Sequence, residues 1–253
     1  MDQHDLTARQ FGTTAAQYLT STVHATGADL DRLQALVPAI RPGRALDLGC
    51  GAGHASYALA RGGARRVVAY DLSLQMLGTV ATEAASRGHT GIETCAGPAE
   101  DLPFDDESFD CVVTRYSAHH WLNVRQALTE ARRVLAPGGT LVVIDVIAPE
   151  NPLMDTVLQT IEILRDLSHV RNYRESEWRA MLRAEKFPTP TVDRWKLAMN
   201  FPAWIARIRT PPDRVAALHT VFDALAAEAR DYFSLDQCNS FAIDAGWFES
   251  NKR

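Results

Sequence analysis

One stretch constrains this chain more than any other: Ala45-Leu46-Asp47-Leu48-Gly49-Cys50-Gly51-Ala52-Gly53-His54-Ala55-Ser56. An apolar strand pattern ends in three glycines within five residues, and a helix-compatible run, Ser56-Tyr57-Ala58-Leu59-Ala60, follows at once. Glycine lets the main chain turn sharply and lets a ligand approach the backbone without a Cβ in the way. The next helix then presents unpaired N–H groups and a partial positive charge to an anion. Asp47, at the strand end, can receive a cationic amine. A ligand carrying both a carboxylate and an ammonium fits such a corner; a tight turn with no ligand is the plainer reading. No Gly-Lys-Ser/Thr is present, which excludes a nucleoside-triphosphate loop, and G-x-G-x-x-G fails because position 54 is His.

The surroundings of the corner decide the fold class. From residue 44 to 149 strands alternate with helices. The strands are expected at Arg44–Leu48, Arg66–Tyr70 (ended by Asp71), Ile92–Ala96, Phe109–Thr114 and Thr140–Val146. Gly62-Gly63 ends one helix. Ser73 caps a second, with Met76, Leu77, Val80, Ala81 and Ala84 at helical spacing. Asn123 caps a third, which Pro137-Gly138-Gly139 stops. Continuous apolar strands such as Leu141-Val142-Val143-Ile144 imply a mostly parallel sheet covered on both faces.

Residues 8–40 are expected to form two helices. Ala15, Ala16, Tyr18, Leu19 and Val23 mark the first; Leu30, Leu33, Leu36 and Val37 mark the second, closed by Pro38 and Pro42. Beyond residue 150 come helices at 152–168 and 175–185, a strand at 191–199, helices at 202–209 and 212–230, and a strand at 240–248. The last two strands are expected to pair antiparallel, with the helices between them inserted as a cap. This gives an α/β, doubly wound, seven-stranded, mostly parallel sheet. It forms a single domain over 1–253, with an N-terminal helical cap (1–43), a ligand-binding core (44–149) and a C-terminal part (150–253).

Charge narrows the partners. The net charge is −5 and no Lys/Arg-rich run occurs, which argues against a nucleic-acid face. Cys50, Cys95, Cys111 and Cys238 show no metal-ligand spacing; free thiols, mostly buried, in a reducing compartment are expected. The N-terminus has no apolar targeting segment, and Thr140–Ala148 is too short to span a bilayer. The expectation is a cytoplasmic protein with no membrane partner and no metal.

Polar residues recur at the carboxyl ends of the strands, where open parallel sheets bind ligands. They are Asp47, Asp71, Ala99-Glu100, Arg115-Tyr116 and Asp145. A carboxylate at Asp71 can accept hydrogen bonds from two vicinal ribose hydroxyls.

Taken in order, Ala45–Gly53, Val67-Val68-Ala69-Tyr70-Asp71, Gly97-Pro98-Ala99-Glu100-Asp101-Leu102-Pro103-Phe104, Phe109-Asp110-Cys111-Val112-Val113 and Arg133-Val134-Leu135-Ala136-Pro137-Gly138-Gly139 resemble the class I S-adenosylmethionine-dependent methyltransferases, with their Rossmann-like fold. The closer resemblance is to the small-molecule branch (type 11 domain), which contains quinone C-methyltransferases and natural-product O-methyltransferases. The resemblance implies that Asp47, Gly49 and Gly51 surround the methionine moiety of S-adenosylmethionine, or of the product S-adenosylhomocysteine. It also implies that Asp71 holds the ribose, that Leu72 lies against the adenine, and that Ala99 and Glu100 meet the adenine edge. Met76 and Arg115 join them as cofactor-facing candidates. Pro98 departs from the family, which often has Asp there.

Methyl transfer from a sulfonium is an in-line displacement in which positioning does much of the work. A hydroxyl acceptor gains from a general base, and His is suited to that near neutral pH. The chain offers His119 and His120 just past the fourth strand, and Asp145 at the end of the neighbouring fifth strand to orient an imidazole. One histidine of such a pair can instead serve structure by bonding a carbonyl. Tyr18, His24, His169, Arg171 and Tyr173 are candidates to roof the cleft, while Trp178, Trp195, Trp204 and Trp247 read as core. The expected partner is a small organic acceptor, methylated on oxygen or carbon. The rivals are a nucleic-acid methyltransferase, a non-catalytic S-adenosylmethionine-binding protein and a nicotinamide oxidoreductase. Ile144-Asp145-Val146 stands where the quinone enzymes usually carry Glu-Phe-Ser.

Overall fold

Strand by strand, side chains alternate between two cores, as a pleated sheet covered on both faces requires. Leu46, Leu48, Val112, Leu141 and Val143 face one cluster, while Ala45, Cys111, Val113, Val142 and Ile144 face the other. The computed structural model describes residues 2–12 and 27–253. The expected helix around Ala15–Val23 lies outside the described residues, as do Tyr18 and His24. In chain order the elements are α1 (Gln3–Gly12), α2 (Ala28–Ile40), β1 (Arg44–Leu48), α3 (His54–Gly62), β2 (Arg66–Asp71), α4 (Leu74–Ser86), β3 (Ile92–Ala96), β4 (Phe109–Arg115), a 3-10 turn (Ala118–His120) and α5 (Val124–Val134). There follow β5 (Leu135–Ala148), α6 (Pro152–Arg165), β6 (Tyr173–Arg174), α7 (Glu175–Ala184), β7 (Thr191–Met199), α8 (Phe201–Arg207), α9 (Pro212–Ala224), α10 (Ala227–Tyr232) and β8 (Phe241–Asn251).

The sheet order is β3-β2-β1-β4-β5-β8-β7. The first five strands are parallel, and β8 runs antiparallel to both β5 and β7. The chain reverses its winding between β1 and β4, which places a crevice at their carboxyl ends. An eighth strand supplements the seven expected: β6 pairs in parallel with the tip of β5, Ile147 against Tyr173 and Ala148 against Arg174. Only two residues long, it has no periodicity to announce it.

Local chemistry sets the element ends. Ser73 accepts from the Met76 amide at 3.3 Å, and Asn123 from the Gln126 amide at 3.1 Å. Ala127, Leu128, Ala131 and Val134 make the buried stripe of α5. Pro38 does not close α2 as expected. It sits inside the last turn, and the helix ends at Arg41 in the left-handed region (φ 46°), whose N–H bonds the Val37 carbonyl. The helix expected to reach 168 ends at Arg165, where Asp166 captures the Ser168 amide at 2.8 Å and turns the chain back. The segment after β7 folds as α8, α9 and α10, whose Trp204, Leu218, Phe222 and Ala229 share an apolar cluster with Leu158 and Ile161 of α6. Trp178, Trp204 and Trp247 are fully buried. Cys50 and Cys111 are buried and Cys95 half-buried, whereas Cys238 is exposed; all four are free thiols. Among the described residues no helix is long and apolar enough to cross a membrane.

Candidate active site

The glycine corner opens into a cleft at the β1 and β2 tips. Asp47, Gly49, Gly51, Asp71, Leu72, Met76, Ala99, Glu100 and Arg115 all line it. Gly49 sits at φ +73°, and a Cβ there would overlap the Ser117 side chain. Gly51 sits at φ +50° with open space where a Cβ would project. The first glycine is needed for close packing, the second for a left-handed turn on the cleft floor.

The corner's amides are largely used by the fold itself. Gly49 and Cys50 both donate to the Tyr70 carbonyl, at 2.8 and 3.0 Å, and Gly51 donates to Asp71 Oδ2 at 2.8 Å. The group left for an anion is the first turn of α3, the helix N-terminus expected from the sequence. Its N-cap Gly53 supplies no side-chain cap, and Ala52, His54 and Ala55 border the cleft.

Asp47 is fully buried. Its Oδ2 accepts from Ser56 Oγ at 2.6 Å, while Oδ1 is buried with no partner. Burial pushes this carboxyl up to about 6, against the lowering effect of the Ser56 bonds. An orphaned carboxylate oxygen beside a cradle of glycines fits the ammonium of an amino-acid ligand. Asp71 joins two elements: Oδ2 takes Gly51 N–H and Oδ1 takes Ser73 N–H at 2.9 Å. Burial raises its pKa against those bonds. The carboxylate borders the cleft, where it can still accept from a ribose hydroxyl. Glu100 accepts from the Asn123 amide at 3.0 Å and lies 3.5 Å from His4 Nε2. Arg115 is ion-paired to Asp29 of α2 at 2.5 Å, both nearly buried, so it anchors a helix as well as edging the cleft.

The two adjacent histidines keep their ring centroids 4.2 Å apart but take different partners. His119 Nδ1 lies 2.6 Å from Asp145 Oδ1, which also accepts the Val146 amide at 2.8 Å. Burial depresses His119, the Asp145 charge and hydrogen bond outweigh it, and the net pKa is raised. His120 Nδ1 instead meets the Ser168 carbonyl at 3.1 Å. Burial, then the charge of His119, push it down to about 4. His120 edges the cleft; His119 edges a second cavity beside it. Phe11, Tyr116 and His120 border both.

None of His169, Arg171 and Tyr173 lines the cleft they were expected to roof. His169 is buried beside His119, with ring centroids 5.8 Å apart, and bonds Gln159 at 2.9 Å. The amides of Val170 and Arg171 both donate to the His119 carbonyl, at 2.8 and 3.1 Å. This loop holds the histidine pair from behind. The roof is α1, whose His4, Thr7, Ala8 and Phe11 face the cleft. The sequence analysis expected an N-terminal helical cap over 1–43 but did not single out these four residues; the signal was the spacing 4, 7, 8, 11, one face of a helix. Ser117 and Trp121 were missed as well, and Trp121 Nε1 bonds Ser117 Oγ at 3.2 Å under the corner.

A family profile described as "Methyltransferase domain" matches residues 46–143. The chain is 44% identical over 186 residues to the uncharacterized protein YafE of Escherichia coli, covering 74% of this chain and 90% of that protein. It is 35% identical over 248 residues to the uncharacterized methyltransferase YcgJ of Bacillus subtilis, covering 96% and 98%. The crystal structure of YcgJ superposes with a TM-score of 0.81 at 34% identity, covering 88% of this chain and 99% of that one. A demethylmenaquinone methyltransferase from Clavibacter sepedonicus is 41% identical over 111 residues, 44% of each chain.

Proposed function

The chain belongs to the S-adenosylmethionine-dependent methyltransferases, and from that premise we propose that it methylates a small, partly apolar organic acceptor on a hydroxyl oxygen or on a carbon that such a hydroxyl activates. The observation that carries this reading is the 2.6 Å contact between His119 and Asp145, beside a cavity that shares walls with the cofactor cleft.

S-adenosylmethionine supplies an electrophilic methyl group on a sulfonium centre. Asp47 and the first turn of α3 hold its amino-acid end, Asp71 its ribose, and Leu72, Met76, Ala99 and Glu100 its base. Asp145 fixes His119 with Nδ1 toward the carboxylate, which leaves Nε2 to take a proton from an acceptor hydroxyl in the second cavity. The carboxylate then stabilises the imidazolium that forms. The same proton removal serves O-methylation directly and C-methylation through a phenolate. With its low pKa, His120 stays neutral beside a charged His119 and does not compete for the proton. The quinone relative in the comparison supports a small-molecule acceptor, and the acidic charge disfavours nucleic acid.

Isothermal titration with S-adenosylmethionine and S-adenosylhomocysteine, with NAD as control, tests the first half. Micromolar binding of the first two alone is expected. An acceptor screen with wild type and His119→Ala tests the second. A variant with undiminished rate and an unchanged pH profile would sink the base role.

A further inference from the structure

The cavity behind His119 has walls of two kinds. Val146, Met199, Trp204 and Ile243 are apolar. Arg165, the last residue of α6 and only 8% exposed, borders the same space. Its Nε donates to the Trp204 carbonyl at 3.1 Å, and its Cζ lies 5.0 Å from the Trp204 ring centroid. Those two contacts fix the plane of the guanidinium. Nη1 stands 3.7 Å from Glu162 Oε2, beyond hydrogen-bond reach, and Nη2 is buried without a hydrogen-bond partner.

A guanidinium carries five N–H donors in a rigid fork that matches a carboxylate with two parallel bonds. A buried guanidinium N–H left without an acceptor is costly, so Nη2 is matched to something that brings a lone pair into the cavity. Glu162 is too distant to satisfy it, and burial pushes the Glu162 carboxyl toward its neutral form. Arg207 borders the space too, while the carboxylates of Asp145 and Asp166 act on His119 and Asp166 on Arg165 from behind the wall.

We propose, resting on the methyl-acceptor reading above, that this cavity binds a ring-sized hydroxy acid. Its carboxylate pairs with Arg165, its ring lies on the Trp204 wall, and its reacting hydroxyl meets His119. Arg165 is then the residue that selects the acceptor.

The test titrates ligands into protein saturated with S-adenosylhomocysteine. The probes are 4-hydroxybenzoate, 3-hydroxybenzoate and 1-hydroxy-2-naphthoate, the methyl ester of each, and tyramine. At least one acid is expected to bind, its ester at least tenfold more weakly. Arg165→Gln should abolish the acid preference while S-adenosylhomocysteine affinity holds, and Arg165→Lys should restore part of it. Thermal melts of both variants separate loss of recognition from loss of fold, and the ester comparison on wild type needs neither. Esters binding as well as acids would overturn the proposal. So would tyramine binding best, or no probe binding to a protein that holds S-adenosylhomocysteine; in the last case the methyltransferase reading survives. Failure to bind S-adenosylhomocysteine would remove both.

Discussion

Replacing Asp145 by Asn tests the pair at the heart of the site without requiring an acceptor. The two groups are 2.6 Å apart, with His119 16% and Asp145 2% exposed at the side chain. A hydrogen bond to a charged group contributes about 1.5–3 kcal/mol. Asn keeps an acceptor for the neutral imidazole and loses the stabilisation of the imidazolium, so the cost depends on pH. The folded-state pKa of His119 is raised above its unfolded value, which is near 6.5 for a free histidine. Its stabilising contribution is therefore fully present below about pH 6.5 and is lost as pH rises through the folded-state pKa. Asp145→Asn should lower stability by about 1.5–3 kcal/mol at about pH 5.5 and by under about 1 kcal/mol well above that pKa. A protein of this size shifts its Tm by about 2–4 °C per kcal/mol. Thermal melts across pH, with the His119 imidazole followed by NMR and assigned by its loss in His119→Gln, give both readouts. With the carboxylate removed, burial dominates, and the His119 midpoint should drop below the ordinary histidine value. An unmoved midpoint, or a loss of stability as large at high pH as at low, would refute the argument.

The site supports further tests. Asp71→Ala should weaken S-adenosylhomocysteine binding by about 1–3 kcal/mol, read by calorimetry; unchanged affinity would remove the ribose role, and because Asp71 also holds the Gly51 and Ser73 amides, Asp71→Asn is measured beside it. His119→Ala should leave cofactor affinity unchanged and reduce turnover on a hydroxyl acceptor by about 10²–10⁴-fold. In wild type the acidic limb of that rate should lie above the ordinary histidine pKa, since the base must first lose its proton. Gly49→Ala should lower the melting temperature and cofactor affinity together through the overlap with Ser117; Ser117→Gly in the same chain should restore only part, because the positive φ remains strained.

Where physics is local, the fold could be read in advance. β1, β3 and β7 begin and end at the expected residues, because Gly43 and Gly49, Gly91 and Gly97, and Pro190 and the helix-capping Asn200 bound them. The Ser73 and Asn123 caps followed from side chains that reach three residues along. The difference between His119 and His120 was not local. It depends on Asp145, 26 residues on, and on the Ser168 carbonyl, 48 residues on, which the Asp166 turn delivers. The inward face of the N-terminal cap was hidden for another reason. The Gln3–Gly12 segment is polar on average, and Thr7 alone among its residues is buried, so its inward face carries little hydrophobic signal. Arg165 carries no local signal of its place in the cavity wall, which depends on α8 bringing the Trp204 carbonyl to its Nε.

The antiparallel strand β8 has a consequence for how the protein is made. β5, which carries Asp145, pairs along Thr140–Ile147 with residues 244–251 near the end of the chain. During synthesis the first five strands can assemble while one edge of β5 stays bare, and that edge runs through Leu141-Val142-Val143-Ile144, among the most deeply buried residues of the finished sheet. A nascent chain at that stage shows an apolar strand edge to its neighbours, the kind of surface that recruits chaperones or seeds aggregation. Ribosome stalling or proteolysis before residue 241 leaves that flank of the sheet open.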